Sequence, residues 1–313
     1  MRGKVALRHK DLLGLADLSP EEIEHILEQA EAMREVLERE IKKVPALRGR
    51  VVVNLFYEPS TRTRFSFELA AKYLSAETVS VAAATASVVK GEGLLDTART
   101  VEALGADVVV LRHPSAGAAA FLARHVKAAV INAGDGMHEH PTQALLDLFT
   151  VKRHKGRIKG LTVTIVGDIL HSRVARSNIW GFSKLGARVR VCGPATLIPP
   201  GLEELGVEVY YQLEEALEGA DVVYVLRLQR ERFSEQTFLP GPEEYARLYG
   251  LNRERLRLAQ PDALVMHPGP MNRGLEIAAE VAELDRAVIE EQVTNGVAVR
   301  MACLYLLMRR GEA

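Results

Sequence analysis

Residues 50–74 read RVVVNLFYEPSTRTRFSFELAAKYL and hold a strand, a turn and a helix in succession. The opening RVVVNLFY is rich in β-branched and apolar residues, as is typical of a buried strand. Phe65, Leu69 and Tyr73 then recur at four-residue spacing, which predicts one face of a helix. The polar segment 58–64 is therefore predicted to be a strand-to-helix turn.

The same alternation of strand and helix continues on both sides of this stretch. Ser19, Pro20 and Glu22 combine a helix N-cap, a proline at the first helical position and a capping glutamate, so a helix is predicted to run from there to about residue 41. Further strand-like runs lie at 107–111, 128–131, 161–166, 187–192, 207–211, 221–226 and 263–266, and helical patterns lie at 116–126, 142–154 and 286–310. This alternation predicts an α/β fold with two doubly wound parallel-sheet domains and the active site in the cleft between them.

A basic, glycine-bearing stretch, KGRIKG at 155–160, marks a junction between the two series of strands. The last helix is predicted to return to the first domain. The expected domains are therefore residues 1–148 with 288–313, and residues 149–287.

The composition restricts the classes of protein to which the chain can belong. Its 313 residues suffice for two domains, and its net charge of −1 gives no general reason to bind nucleic acid or a membrane surface. The two cysteines, Cys192 and Cys303, form no CxxC pair, which argues against a disulfide framework or a structural zinc site. The N-terminal residues lack the apolar core of a signal peptide, and no uncharged apolar run approaches about 18 residues. The expected location is the cytoplasm.

The turn at 58–64, EPSTRTR, is the strongest chemical signal in the chain. Hydroxyl groups, backbone N–H groups and the positive end of a helix converge there, and this combination can bind a phosphate. Arg62 adds a planar fork of donors that matches phosphate oxygens. The alternative is that Ser60 or Thr61 only caps the helix and that the arginines are solvated.

Other polar clusters lie at the ends of predicted strands or the starts of predicted helices. Arg112 follows a strand and His140 precedes a helix, so both are suited to polarise a carbonyl oxygen, although His140 taken alone reads better as a capping or core residue. Arg227 and Gln229 lie at another strand end, where an exposed salt bridge is the alternative. The turn VGDILHSR at 166–173 lacks the GxGxxG spacing of a dinucleotide site, which counts against a nicotinamide enzyme.

Eight motifs together resemble the aspartate and ornithine carbamoyltransferase family, and within it the branch that uses aspartate. In chain order they read YEPSTRTRFSFELAAKYL, KGEGLLDT, LRHP, HPTQALLDLFT, VGDILHSRVARSN, LRLQRERF, MHPGPMNRGLEI and QVTNGVAVRMACLYLL. They cover nearly the whole chain with family-like spacing. The resemblance implies an enzyme of early pyrimidine biosynthesis that transfers the carbamoyl group of carbamoyl phosphate to the amine of L-aspartate through a tetrahedral intermediate.

The resemblance also implies roles for single residues of the first domain, which would bind carbamoyl phosphate. The residues expected to contact this substrate are Ser60, Thr61, Arg62, Thr63, Arg112, His140 and Gln143. Among them, the expected catalytic residues are Arg62, Thr63, Arg112 and His140.

The second domain is expected to bind aspartate. The resemblance assigns the carboxylates of the acceptor to Arg173, Arg227 and Gln229. It also implies that the turn Pro268-Gly269-Pro270 closes over the reacting centre, although glycine at 269 departs from the leucine of some relatives.

Ser87 and Lys90 match the mobile loop of the family, which reaches the site of a neighbouring subunit. The serine stands three residues before the lysine here, where some members have four. The resemblance thereby implies a homotrimer with shared active sites. It implies no metal ion and no organic cofactor, and it leaves open a regulatory or dihydroorotase chain as a partner.

The acceptor is inferred from two motifs and two cations. Ornithine enzymes typically carry cysteine in HPCQ and in an HCLP-like turn, whereas this chain reads HPTQ and HPGP. Aspartate needs cations for two carboxylates, and Arg173 and Arg227 are suited to supply them. The competing hypotheses are ornithine or another amine as acceptor, a nicotinamide dehydrogenase, and a phosphate-binding protein without activity.

Overall fold

The computed structural model describes residues 7–82, 93–228 and 241–310. The chain divides into two compact units. Unit 1 comprises Met1–Phe149 and Val293–Ala313, and unit 2 comprises Thr150–Gln292. The domain limits expected from the sequence stay a prediction.

The described part of unit 1 contains a four-stranded parallel sheet in the order β2-β1-β3-β4. Its strands are β1 (Val51–Phe56), β2 (Glu77–Ala82), β3 (Val108–His113) and β4 (Ala129–Asp135). Its helices include α1 (Pro20–Glu38), α2 (Thr61–Tyr73), α3 (Leu94–Ala103) and α4 (Ala118–Ala123). The buried apolar residues of β1, β3, β4 and α4 pack into one core.

The start of α1 confirms the capping box expected from the sequence. The Oγ of Ser19 accepts the N–H of Glu22 at 3.2 Å, and the Oε2 of Glu22 accepts the N–H of Ser19 at 2.9 Å. These bonds satisfy backbone donors that a helix start leaves without partners. The helix ends at Glu38, a few residues before the predicted end.

The helix predicted from Phe65 and Leu69 is present as α2, but its apolar stripe is not the buried face. Phe65 is 51% exposed and Leu69 is 38% exposed, whereas Phe67, Ala70 and Ala71 are fully buried. The periodicity therefore identifies the helix correctly, while the side that packs on unit 1 is a different one.

The described part of unit 2 contains a five-stranded parallel sheet in the order β7-β6-β5-β8-β9. Its strands are β5 (Thr162–Val166), β6 (Arg188–Cys192), β7 (Glu208–Tyr210), β8 (Val222–Val225) and β9 (Leu264–Met266). Its helices include α6 (Arg173–Lys184), α7 (Leu213–Leu217), α8 (Pro242–Tyr249), α9 (Arg253–Leu256) and α10 (Ala279–Ala282). Both boundaries between the units fall inside helices, namely α5 (Pro141–Lys155) and α11 (Ile289–Met308).

Each sheet has one place where the strand order reverses. In unit 1 it lies between β1 and β3, and in unit 2 it lies between β5 and β8. In open parallel sheets, ligands bind outside the carboxyl ends of the strands at this point. The predicted α/β fold with two parallel-sheet domains is confirmed, and each domain has its own candidate binding region.

The edge strand β2 and the helix α3 are missing from the order of elements predicted from the sequence. β2 carries an exposed Val79, so it lacks the continuous apolar run of the central strands. α3 buries only Thr97 and Ala98, which is too little to produce a clear apolar period. Among the described helices, none is both long enough and apolar enough to cross a membrane.

Candidate active site

The turn between β1 and α2 places Ser60 at the N-cap of the helix. Its carbonyl accepts the N–H of Arg64 at 3.1 Å, but its side chain makes no capping hydrogen bond. The capping alternative is therefore wrong for Ser60. Thr61 and Arg62 are exposed, and Thr63 is buried. Because the first N–H groups of a helix lack intrahelical acceptors, this turn offers several donors on one short segment.

Arg112 lies directly beside this turn, at the reversal point of the unit 1 sheet. It pairs in register with Phe56, and its carbonyl accepts the N–H of Tyr57 at 2.8 Å. The guanidinium Nη1 donates to the carbonyl of Ala133 at 3.2 Å, and its Nε lies 3.5 Å from the Oε2 of Glu58. The strand ends therefore hold the predicted phosphate-binding turn and Arg112 next to each other.

His140 directly precedes α5, and its backbone carbonyl takes part in the first turn of this helix. Its carbonyl accepts the N–H groups of Gln143 at 3.0 Å and Ala144 at 3.3 Å, and the residue is 4% exposed. The Nε2 of Gln143 donates to the Oδ1 of Asp147 at 3.1 Å. His140 and Gln143 therefore share the first turn of one helix.

A buried network of carboxylates supports the residues before His140. Asp135 accepts the side chain of Asn132 at 2.7 Å and the N–H of Glu139 at 3.1 Å. The carboxylate of Glu139 in turn accepts the N–H of Leu15 at 2.8 Å. Its Oε1 would lie only 2.2 Å from a Cβ at position 14, so a larger residue there would displace this carboxylate. This network fixes the segment that carries His140.

His113 is next to Arg112, but its ring is not a source of positive charge. Burial lowers the pKa of His113 from its ordinary value, although Glu58 and Asp135 act in the opposite direction. The N–H of Ser115 donates to its Nδ1 at 3.0 Å, so the neutral ring carries its proton on Nε2. The positive charge beside the turn at 58–64 therefore comes from Arg62 and Arg112.

In unit 2, the ends of β5 and β8 approach each other closely. The N–H of Leu226 donates to the carbonyl of Val166 at 2.8 Å. Gly167 has a φ of +129°, and a Cβ there would lie 3.1 Å from the Cβ of Leu226. The glycine therefore permits the approach, and Arg227 follows at the reversal point of the sheet.

Arg173 is the first residue of α6 and is 5% exposed. The Oγ of Ser172 caps the helix by accepting the N–H of Ala175 at 3.1 Å. Asp168 holds the preceding turn, because it accepts the N–H of His171 at 3.1 Å. Arg173 and Arg227 thus each follow one of the two strands that flank the reversal point.

The segment Pro268-Gly269-Pro270 follows β9. Gly269 has a φ of +60°, and the Gly269–Pro270 peptide bond is cis. Pro268 and Gly269 are half-buried, and Pro270 is exposed. Ser87, Lys90 and Gln229 lie outside the described residues.

Two further kinds of chemistry have no support in the described part of the chain. Burial raises the pKa of both Cys192 and Cys303 to about 12, so neither thiol is a nucleophile at neutral pH. Within residues 7–82, 93–228 and 241–310, no group of three or more His, Cys, Asp or Glu side chains is arranged to hold a metal ion.

Four carboxylates near the predicted site residues are not themselves among the predicted site residues, namely Glu58, Asp135, Glu139 and Asp147. Glu58 and Asp147 contact the predicted site residues Arg112 and Gln143, Glu139 directly precedes His140, and Asp135 accepts the N–H of Glu139. Their positions within EPSTRTR, GDGMHEHP and HPTQALLD are the one signal that the sequence carries for them.

Comparisons with known proteins show the family to which the chain belongs. Residues 10–153 match the family model described as "Aspartate/ornithine carbamoyltransferase, carbamoyl-P binding domain", and residues 159–307 match "Aspartate/ornithine carbamoyltransferase, Asp/Orn binding domain". The aspartate carbamoyltransferase catalytic subunit of Moorella thermoacetica is 67% identical over 302 residues, which cover 96% of this chain and 98% of that protein.

Solved structures of both branches are similar in fold. Aspartate transcarbamoylase from Trypanosoma cruzi, in complex with carbamoyl phosphate and aspartate, gives a TM-score of 0.86 at 30% identity and covers 94% of this chain and 95% of that one. Ornithine carbamoyltransferase from Pyrococcus furiosus gives 0.86 at 31% identity, with 97% and 98% covered. Since the two family models together span nearly all of the sequence and the M. thermoacetica protein matches over almost its full length, this chain belongs to the aspartate/ornithine carbamoyltransferase family.

Proposed function

We propose that this protein is an aspartate carbamoyltransferase, which converts carbamoyl phosphate and L-aspartate into N-carbamoyl-L-aspartate and phosphate. One observation carries the proposal: each unit presents arginines at the reversal point of its own parallel sheet. Unit 1 has Arg62 and Arg112 there, and unit 2 has Arg173 and Arg227. Both substrates are anions, so each needs such a cluster.

Carbamoyl phosphate binds through unit 1. Ser60, whose hydroxyl makes no cap bond, joins Thr61, Arg62 and Thr63 around the phosphate at the start of α2. Arg112 bridges phosphate and carbonyl. The residues that address the carbamoyl group are Thr63, His140 and Gln143.

Aspartate binds through unit 2. Arg173 and Arg227 take its two carboxylates, Gln229 assists them, and Pro268, Gly269 and Pro270 form a wall beside the reacting centre. The fold alone does not select the acceptor, because an ornithine enzyme has a similar one. The selection comes from the residues: a cationic ornithine side chain requires an acidic partner, whereas these arginines match a second carboxylate.

The reaction needs no covalent enzyme intermediate. The neutral amine of aspartate attacks the carbamoyl carbon and forms a C–N bond. The oxygen of the resulting tetrahedral intermediate faces Arg112, His140 and Thr63, and one donor of this kind is commonly worth about 10² to 10³ in rate. The C–O bond to phosphate then breaks, and the departing phosphate takes the amine proton.

We also infer that the protein assembles as a homotrimer in which Ser87 and Lys90 serve the site of a neighbouring copy. The apolar side chains of Phe65, Leu69 and Val79 support a contact between copies, because all three are exposed in the single chain. A cytoplasmic location and a regulatory or dihydroorotase partner stay predictions.

The function is tested by measuring phosphate release from carbamoyl phosphate with L-aspartate, with L-ornithine and with no acceptor. We expect release to depend on L-aspartate and N-carbamoyl-L-aspartate to appear in equal amount by mass spectrometry. Phosphate release that depends on L-ornithine would show that L-ornithine, and not L-aspartate, is the acceptor. Binding of carbamoyl phosphate without turnover under any acceptor would contradict enzyme function.

A further inference from the structure

We propose that His267 is a positioning residue for the acceptor half of the reaction: its neutral imidazole sets the Pro268-Gly269-Pro270 turn against the end of β8. The inference rests on the proposed function, since that turn is the proposed wall beside the reacting centre. His267 itself touches no substrate in this scheme. It is 1% exposed and directly follows β9.

Three hydrogen bonds fix the position of the His267 ring and backbone. The N–H of Gly269 donates to its Nδ1 at 2.8 Å. Its Nε2 lies 3.2 Å from the Oε1 of Glu276, and its own N–H donates to the Oε1 of Gln292 at 3.1 Å. The ring is therefore held between the turn on one side and a carboxylate on the other.

These contacts determine the tautomer. Because the N–H of Gly269 donates a hydrogen bond to Nδ1, that nitrogen must be the acceptor, and the ring proton must be on Nε2. Nε2 then donates to Glu276, which is 0% exposed. A second proton on the ring would place two donors face to face at Gly269, so only the neutral ring supports the turn.

The same carboxylate connects the turn to the end of β8. The Oε1 of Glu276 also accepts the N–H of Asn272 at 2.6 Å. The side chain amide of Asn272 donates to the carbonyl of Leu228 at 3.3 Å. Leu228 is the residue after Arg227, so one connected network spans the proposed wall and the strand end that carries a proposed aspartate ligand.

A purely structural role predicts a different outcome from a positioning role. If the buried His–Glu pair only stabilises unit 2, its loss would lower the free energy of unfolding without affecting aspartate more than carbamoyl phosphate. If His267 positions the wall, its loss moves the wall relative to Arg227. This affects aspartate and leaves the turn before α2 in unit 1 unchanged.

Two substitutions separate the two ring nitrogens. In His267→Asn, the side chain oxygen takes the place of Nδ1 and can accept the N–H of Gly269, while the contact to Glu276 is lost. In His267→Gln, the side chain amide takes the place of Nε2 and can donate to Glu276, while the turn loses its acceptor. The pair therefore has similar chemistry and opposite effects on the turn.

The experiment measures kcat and KM for aspartate, the affinity for carbamoyl phosphate by calorimetry, and the free energy of unfolding in urea. We expect His267→Gln to reduce kcat/KM for aspartate by about tenfold or more, because a small misplacement near the chemistry is costly. His267→Asn should retain several times more activity than His267→Gln, and both should bind carbamoyl phosphate like wild type. Equal activity in the two variants, or a parallel loss of carbamoyl phosphate affinity, would overturn the proposal.

A measurement on wild-type protein covers the case in which neither variant folds. Selective ¹⁵N labelling of histidine reports which ring nitrogen carries a proton, and a buried Nε2–H ring with an unprotonated Nδ1 is expected at neutral pH. A charged ring or an Nδ1–H tautomer at His267 would refute the inference. The wild-type activity assay separates this result from a failure of the proposed function, because loss of the function would remove aspartate-dependent turnover in wild type itself.

Discussion

The Nε of Arg112 lies 3.5 Å from the Oε2 of Glu58, so the arginine proposed to contact phosphate is already held by a carboxylate of the neighbouring turn. The two side chains are 14% and 21% exposed. A bound phosphate must compete with this carboxylate for the same guanidinium. The pair is therefore expected to weaken anion binding while it keeps Arg112 in place.

Replacing Glu58 with glutamine should strengthen the binding of inorganic phosphate. The loss of a partly exposed ion pair of about 1 kcal/mol corresponds to a gain of about threefold to tenfold in affinity. Calorimetric titration measures it. Glu68→Gln is the control, because Glu68 pairs with Arg64 at 3.7 Å rather than with Arg112, and it should leave the affinity unchanged.

Arg62→Ala and Arg64→Ala should differ sharply although the residues are two apart on one helix. Arg62 is exposed in the proposed phosphate turn, whereas Arg64 pairs with Glu68 and lies 5.8 Å from the ring centre of Phe65. We expect Arg62→Ala to lower kcat by about 10² or more, and Arg64→Ala to cost about 1 kcal/mol of stability at most. Wild-type turnover of Arg62→Ala at saturating carbamoyl phosphate would disprove the phosphate assignment.

The proposed shared site makes a prediction about mixtures. Arg62→Ala and Lys90→Ala proteins, each inactive, are dissociated, mixed and reassembled. If the two residues serve a site from different chains, some sites regain both intact residues and activity returns. If they serve it from the same chain, every site stays damaged. Mass spectrometry must show that subunits have exchanged.

Arg300 is expected to stabilise unit 1 from the last helix. Its Nη1 donates to the Oγ of Ser66 at 2.8 Å, and its guanidinium lies 5.2 Å from the ring centre of Phe67. Burial lowers the pKa of this guanidinium to about 10, although the charge of Asp147 acts in the opposite direction. Arg300→Met should cost about 3 kcal/mol or more in urea unfolding, because it removes one member of a buried charged network. Arg309→Met is the matched control in an exposed part of the same segment and should cost little. A neutral effect of Arg300→Met would show that Asp147 and Ser66 do not depend on it.

Glu22 should make the stability of the protein depend on pH in the acid range. Burial would raise the pKa of its carboxyl, but hydrogen bonds from the side chain and N–H of Arg8 and from the N–H of Ser19 outweigh burial and lower the pKa from 4.5 to about 2. The pKa of Glu22 is lower in the folded protein than in the unfolded chain, so the Glu22 charge stabilises the fold fully at pH values above the unfolded pKa of 4.5. This stabilisation is lost as the pH falls through the folded pKa of about 2. It amounts to about 3 kcal/mol.

The check is to follow urea unfolding of wild type and Glu22→Gln as the pH is lowered. The difference between the two proteins should be largest at neutral pH and shrink steadily below about pH 4.5. Glu28→Gln, on an exposed position of the same helix, should show no such convergence. A constant difference across the range would contradict the role of the Glu22 charge.

The sequence predicts the parts of this molecule that depend on local patterns. β1 and the turn after it are predictable because a β-branched run meets EPSTRTR, and the positions of Arg112 and Arg227 at strand ends are predictable because both residues follow apolar runs. Contacts between distant residues have no such signature. Ser66 and Arg300 are 234 residues apart, and no local sequence pattern around either residue predicts the hydrogen bond between them. The sequence also could not predict that the apolar stripe of α2 is exposed, because periodicity identifies an apolar stripe but not what covers it.

The chain leaves unit 1 at Phe149 and returns to it only at Val293, so unit 2 is inserted within unit 1. During synthesis on the ribosome, every residue of unit 2 emerges before the part of α11 that contributes Arg300 to unit 1. Unit 2 is a continuous segment and can complete its core first, whereas unit 1 must wait with the Arg300 partners on α2 unsatisfied. We therefore expect the nascent protein to complete the unit proposed to bind aspartate before the unit proposed to bind carbamoyl phosphate, and truncation before residue 293 should damage unit 1 more than unit 2.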